Sequence, residues 1–116
     1  MTITRIDQDG RMSQVVIHGR TVYLSGQVGN PGEDISAQTR TTLAEIDALL
    51  ALAGTDKSNL LHATIWLADI ADFDAMNMVW EEWIGGGNAP TRATGEVKLA
   101  SPDYKVEIIA TAALPD

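Results

Sequence analysis

Arg92 and Glu107 are the two side chains whose type and setting could do chemistry. Arg92 opens a strand-like stretch in NAPTRATGEVKLA (88–100). It shares one parity with Thr94, Glu96 and Lys98, while Ala93 and Val97 take the other. Glu107 lies in YKVEIIATAAL (104–114), on the parity of Lys105 and Ile109, amid a strongly apolar run. A carboxylate in such a run is costly to bury unless it is paired or hydrogen-bonded. An ion pair between neighbouring strands would satisfy both groups. Alternatively, the planar guanidinium grips a small carboxylate through two hydrogen bonds, beside a group that moves a proton or orients water. Periodicity alone does not choose between the two.

Other residues carry less chemistry. The glycines of GNPG (29–32) and IGGGN (84–88) lack the spacing and strand–helix setting of a phosphate or dinucleotide loop, and read as plain loops. His18, beside a hairpin turn, reads as exposed, and His62 as a polar-facing strand residue. With no H-x-x-x-H and no cysteine, there is no metal cluster, thiolate or disulfide in the sequence. Ser25 lies outside a G-x-S-x-G elbow and reads as a strand end. The 16 acids outnumber the 8 Lys and Arg, for a formal charge of −8. That balance counts against a partner bound through its phosphate backbone, so no nucleic acid is expected. No apolar run reaches the roughly 18 residues of a membrane span. The start, MTITRIDQDGR, lacks a signal-peptide apolar region, and the composition is compatible with a cytoplasmic protein.

The elements that must position Arg92 and Glu107 follow from pattern. At 116 residues the chain is one domain, 1–116. TITRI (2–6) reads as a first strand and DQDGRM (7–12) as a turn. VVIHG (15–19) and TVYLSG (21–26) read as hairpin arms, and GNPGED (29–34) as a loop. From Asp34 to Ala53, Ile35, Thr39, Thr42, Leu43, Ile46, Leu49, Leu50 and Ala53 keep a helical period, with Asp34 as N-cap and Gly54 as stop. LLHATIWLA (60–68) suits a central strand. A second helix, capped by Asp72, carries Phe73, Met76, Trp80 and Trp83 on one stripe and ends at Gly85-Gly86-Gly87. TRATGEVKL (91–99) and YKVEIIATAAL read as two neighbouring antiparallel strands. The order β-β-β-α-β-α-β-β is an α+β fold with two helices on one face of a mixed sheet. In VEIIATAA and LLHATIWLA both parities carry apolar groups. The face without helices is therefore expected to pack on other subunits, the alternative being a small barrel-like monomer.

Five stretches together resemble the YjgF/Rid family of reactive-intermediate enamine/imine deaminases over essentially the whole chain. They are TVYLSGQVG (21–29), LLALAG (49–54), LLHATIWLADIADFDAMNMVWEEW (60–83), APTRA (89–93) and YKVEIIATA (104–112). The resemblance implies a homotrimer of chorismate-mutase-like subunits, with the sheets gathered into a central barrel and ligand pockets in clefts between subunits. It assigns Arg92 to the substrate carboxylate and Glu107 to the attacking water. Asn77 and Ser25-Gly26-Gln27 would line the pocket. It implies hydrolytic deamination of 2-imino or enamine acids of the 2-aminoacrylate type to 2-oxo acids and ammonia, with no cofactor or metal. Met12, in RMSQVV (11–16), stands where the family usually has a tyrosine. Ala93 and Thr94 replace the residues that usually follow the arginine. The alternative is a non-catalytic trimer that binds small carboxylic metabolites through Arg92. Endoribonuclease activity, attached to some relatives, is disfavoured by the −8 charge, and chorismate-mutase activity does not follow from a shared fold.

Overall fold

A computed structural model describes residues 1–116. The chain forms β1 (Ile3–Gln8), β2 (Ser13–His18), β3 (Thr21–Leu24), β4 (Gln27–Val28) and α1 (Ile35–Ala53). After these come β5 (Leu60–Leu67), α2 (Phe73–Ile84), β6 (Thr91–Glu96) and β7 (Val106–Ala113). The expected order is present, with the two-residue β4 added after the hairpin. β1 runs on through Gln8, so the turn to β2 is tighter than its sequence suggests. There the Asp9 carboxylate accepts the backbone N–H groups of Arg11 and Met12. No helix is long and apolar enough to cross a membrane.

Local chemistry sets the helix ends. The Asp34 carboxylate accepts the N–H of Ala37 at 2.8 Å, and Gly54 closes α1 with φ 92°, a conformation that costs glycine little. Asp72 occupies the N-cap of α2 but makes no side-chain cap bond. Asp69, three residues earlier, caps the preceding 3-10 turn through the N–H of Ala71.

The strands form one sheet in the order β1-β2-β3-β7-β5-β6, with β4 also paired to β7. This corrects the expected adjacency of the last two strands. β6 lies parallel to β5 at the sheet edge, whereas β7 runs antiparallel between β3–β4 and β5. A strand–helix–strand passage joins β5 to β6 through α2, and such a crossover returns the chain parallel to its start. β6 also stops at Glu96, short of Leu99.

Period two then sorts the side chains. Val106, Ile108, Ala110 and Ala112 of β7 are buried with Ala63, Ile65 and Leu67 of β5, and with Val15, Val22 and Leu24. Leu43, Ile46 and Leu50 of α1 and Met76 and Trp80 of α2 complete this core, so both helices cover the same face. The alternate positions of β7, including Glu107, Ile109 and Thr111, are only half-buried on the opposite face beside Trp66 and half-exposed Tyr23. The helix stripe missed one buried residue. Gln38 is 0% exposed, and its side chain donates to the carbonyls of Glu33 and Asp103 and accepts from the N–H of Lys105. One amide thus ties α1 to the loops before it and before β7. Leucine at this position would fill the space but strip the Glu33 carbonyl and the Lys105 N–H of this partner, while the Asp103 carbonyl keeps the Gly32 N–H. Gln38→Leu is therefore expected to lower unfolding stability by about 2–3 kcal/mol, read from urea denaturation, although helix propensity favours leucine.

Candidate active site

Arg92 pairs with Ala63 across the parallel β6–β5 ladder and so points to the helix side of the sheet. Its guanidinium carbon lies 5.5 Å from the centre of a Trp80 ring and 5.9 Å from that of Phe73. At this range the ring faces attract a cation while leaving its N–H groups free. Asn77 falls between Phe73 and Trp80 on the same stripe of α2, since residues three and four apart share a helix face. Thr94 lies on the Arg92 side of β6, opposite buried Ile65. The Asn77 Oδ1 and Thr94 Oγ1 atoms are both buried without a hydrogen-bond partner. Burial lowers the Arg92 pKa from its ordinary value, and Glu81 partly offsets this. The aromatic cradle was legible only as a core stripe, because its rings are spaced like any buried helix face.

Glu107 pairs with Trp66 of β5 and Val28 of β4. Ala63 and Trp66 are three residues apart on one strand, so Arg92 and Glu107 point to opposite faces with β5 between them. The expected ion pair is therefore absent, and the one salt bridge of the chain joins Arg20 to Asp116. The Glu107 carboxylate instead rests against Gly26. A Cβ built there would stand 2.1 Å from its Oε2. Burial raises the Glu107 pKa, with no hydrogen bond or cation opposing the shift.

The strand end around Gly26 is held firmly. Ser25 donates its Oγ–H to the Ser13 carbonyl at 2.6 Å and its N–H to the Gln14 carbonyl. Gln27 Nε2 donates to Gln14 Oε1 and to the Ser25 carbonyl. Met12, 43% exposed, follows the β1–β2 turn next to Ser13. Ala93 and Thr94 point to opposite faces of β6, so they do not line one pocket wall within the chain. His62, on the Glu107 face, bonds the hydroxyls of Thr91 and Thr64, in keeping with a polar-facing strand residue. His18 is exposed.

The expected residues therefore form two half-sites. One joins Arg92, Asn77 and Thr94 at α2 and β6. The other joins Glu107, Ser25, Gly26, Gln27 and Met12 around the end of β3. Of the three surface cavities of the chain, none contains Arg92 or Glu107, and Met12 alone among these residues lines one.

Comparison with known proteins gives these half-sites a context. The sequence model of the family described as endoribonuclease L-PSP matches residues 2–114. The RutC family protein YoaB of Escherichia coli K12 is 50% identical over 98% of this chain and all of its own. The human 2-iminobutanoate/2-iminopropanoate deaminase is 33% identical over 89% of this chain and 80% of its own. A crystal structure of a YjgF family member from Neisseria meningitidis, 40% identical, covers this whole chain and 98% of its own with a TM-score of 0.97.

The Glu107 setting predicts a linkage between stability and pH. The folded chain holds this proton more tightly than the unfolded chain does. The cost of burying the carboxylate is thus present above its raised pKa and fades as pH falls through it. Glu107→Gln is expected to melt at a higher temperature than wild type at neutral pH. The difference should shrink as pH falls into the ordinary carboxylate range, and a lower melting temperature at pH 7 would contradict this assignment.

Proposed function

The chain belongs to the endoribonuclease L-PSP, or YjgF, family, and from that premise we propose that it hydrolyses 2-imino and enamine acids of the 2-aminoacrylate type to 2-oxo acids and ammonia. The observation that carries this reading is the pair of half-sites. One has a cation whose donors are unspent, the other a carboxylate whose pKa is raised, and they face opposite ways. No single chain can put both on one small molecule, but two copies can.

The half-exposed apolar side chains of the Glu107 face call for a covering. A homotrimer with this face inside supports such a site between subunits. Arg92 of one subunit would take the substrate carboxylate in a two-pronged grip, steadied by Phe73 and Trp80. Asn77 and Thr94 offer it two further polar atoms. From the neighbouring subunit, Glu107 would accept a proton from water as the oxygen attacks the C=N carbon. That proton would then pass to nitrogen, and as the C–N bond breaks the hydroxyl proton left on the former water oxygen would go to Glu107 and on to the departing ammonia. In balance, an iminium acid and one water give a 2-oxo acid and ammonium. The imine carbon is already electrophilic, so orientation and one proton shuttle can supply much of the rate. A carboxyl with a raised pKa suits that shuttle better than an ordinary one. Met12, in place of the usual tyrosine, would give the pocket an apolar rim.

A deaminase relative at 33% identity supports this class of chemistry. The acidic balance of the chain, −8, favours it over RNA cleavage. The non-catalytic alternative, a carboxylate-binding trimer, shares the Arg92 half-site but gives no role to Glu107.

Two substitutions test the assignment against enzymatically generated imino acids, with oxo-acid release followed above the uncatalysed rate. Arg92→Ala should lower kcat/KM by about 100-fold or more and abolish binding of 2-oxo acids. Gly26→Ala is more discriminating. The backbone at Gly26 needs no left-handed conformation, and the nearest atoms the new methyl would meet all belong to the Glu107 side chain. Near-wild-type melting with a fall in kcat of about tenfold or more is expected. Unchanged kcat would remove Glu107 from the mechanism, and no acceleration of any imine by wild type would leave the binding-only trimer.

A further inference from the structure

The cavity beneath the β1–β2 turn shares only Met12 with the site above, and its chemistry is cationic. It is an open cleft of about 360 Å³, lined by Arg5, Gln8, Asp9, Arg11, Met12 and Ser13, among others. Two of the 8 Lys and Arg side chains of an acidic protein thus border one small space. Neither is spent on an ion pair, because the single salt bridge of the chain lies at Arg20. The one carboxylate in the lining, Asp9, turns back into its own loop. Its Oδ1 accepts the N–H groups of Arg11 and Met12 at 2.7 and 2.9 Å, and these bonds lower its pKa. Asp9 thereby fixes the turn that carries Arg11.

The cavity also adjoins the Glu107 half-site. Its wall residue Ser13 accepts the Ser25 hydroxyl through its carbonyl, and the next residue after Ser25 is the glycine against which Glu107 rests. Arg5 pairs with Val16 on β2, and Val16 with Tyr23 on β3. Tyr23 in turn pairs with Thr111 of β7, four residues from Glu107, so cavity wall and carboxylate share one sheet face. Met12, which stands where the family usually has a tyrosine, lies in the lining itself.

We propose that the Arg5–Arg11 cavity is a second anion subsite, which receives the side-chain carboxylate of a dicarboxylic 2-imino acid. This rests on the proposed function for the chemistry of the substrate but not for the charge recognition. Arg92 holds the carboxylate next to the C=N carbon, and the arginine pair holds the carboxylate at the other end. The substrate class is then the imines of acidic amino acids, such as 2-iminoglutarate and 2-iminosuccinate, formed where a flavin- or nicotinamide-dependent enzyme takes two electrons from the Cα–N bond of an acidic amino acid. Guanidinium groups bind carboxylates in a fixed fork, so the pair selects for charge at the far end of the substrate as well as for its length.

The test compares 2-iminoglutarate with 2-iminobutanoate in wild type, Arg5→Gln, Arg11→Gln and the double variant. In parallel, 2-oxoglutarate and 2-oxobutanoate are titrated as ligands. Wild type should prefer the dicarboxylate by at least about tenfold in kcat/KM, mainly through KM. The double variant should lose that preference while its 2-iminobutanoate turnover stays unchanged. Arg11→Lys should restore part of it. Equal use of both imines by wild type, or a preference indifferent to Arg5 and Arg11, would overturn the subsite. If wild type accelerates neither imine, the deaminase reading fails on its own account, and the titrations still decide. Tighter binding of 2-oxoglutarate that depends on the arginine pair upholds the subsite, and its absence overturns it.

Discussion

Burial of β7 on both edges and one face is the constraint from which the site geometry follows. The strand is hydrogen-bonded to β3 and β4 on one side and to β5 on the other, and Val106, Ile108, Ala110 and Ala112 are locked under the helices. A slip of one residue would bring Glu107 into an apolar core and expel its valine and isoleucine neighbours. The register is thus held by hydrophobic burial along the whole strand. Glu107 has no choice of face. It emerges on the side away from the helices, where its carboxylate takes space that a side chain at Gly26 would fill.

The same arithmetic sets Arg92 on the other face. Its strand, β6, is an edge held by its one ladder to β5, and the Arg92 side chain reaches from it to α2. Phe73 and Trp80 supply apolar area to the fold and two ring faces to the guanidinium, so packing and cation placement share the same side chains. Stability and chemistry pull in different directions here. An Arg92–Glu107 pair would have relieved the burial cost of each group, and the topology forbids it within one chain. Both charges stay unpaired, which suits binding more than folding.

Much of the fold was legible because it rests on local rules. The span of α1, its Asp34 cap and its Gly54 stop follow from short-range hydrogen bonding and a 3.6-residue period. The β2–β3 hairpin and the stripe of α2 were visible for the same kind of reason. The place of β6 was not. A strand next in sequence to β7 looks like its partner, and both arrangements satisfy the same alternation of side chains. The α2 crossover between β5 and β6 was the available signal, since strand–helix–strand passages give parallel neighbours. Gln38 was hidden for another reason. Its amide is buried because one nearby and two distant backbone groups meet there, and no period reports on that.

The sequence by itself determined the α+β class, the two helices and their ends, and a short set of residues fit for carboxylate and water chemistry. These follow from side-chain type and spacing within one element. Tertiary structure decided which of those residues meet. It divided the expected site into an Arg92 half on the helix face and a Glu107 half on the other, and set Arg5 and Arg11 around one cavity beside the second. Strand order and register govern such meetings, and they are fixed by the burial of the whole sheet rather than by any stretch of it.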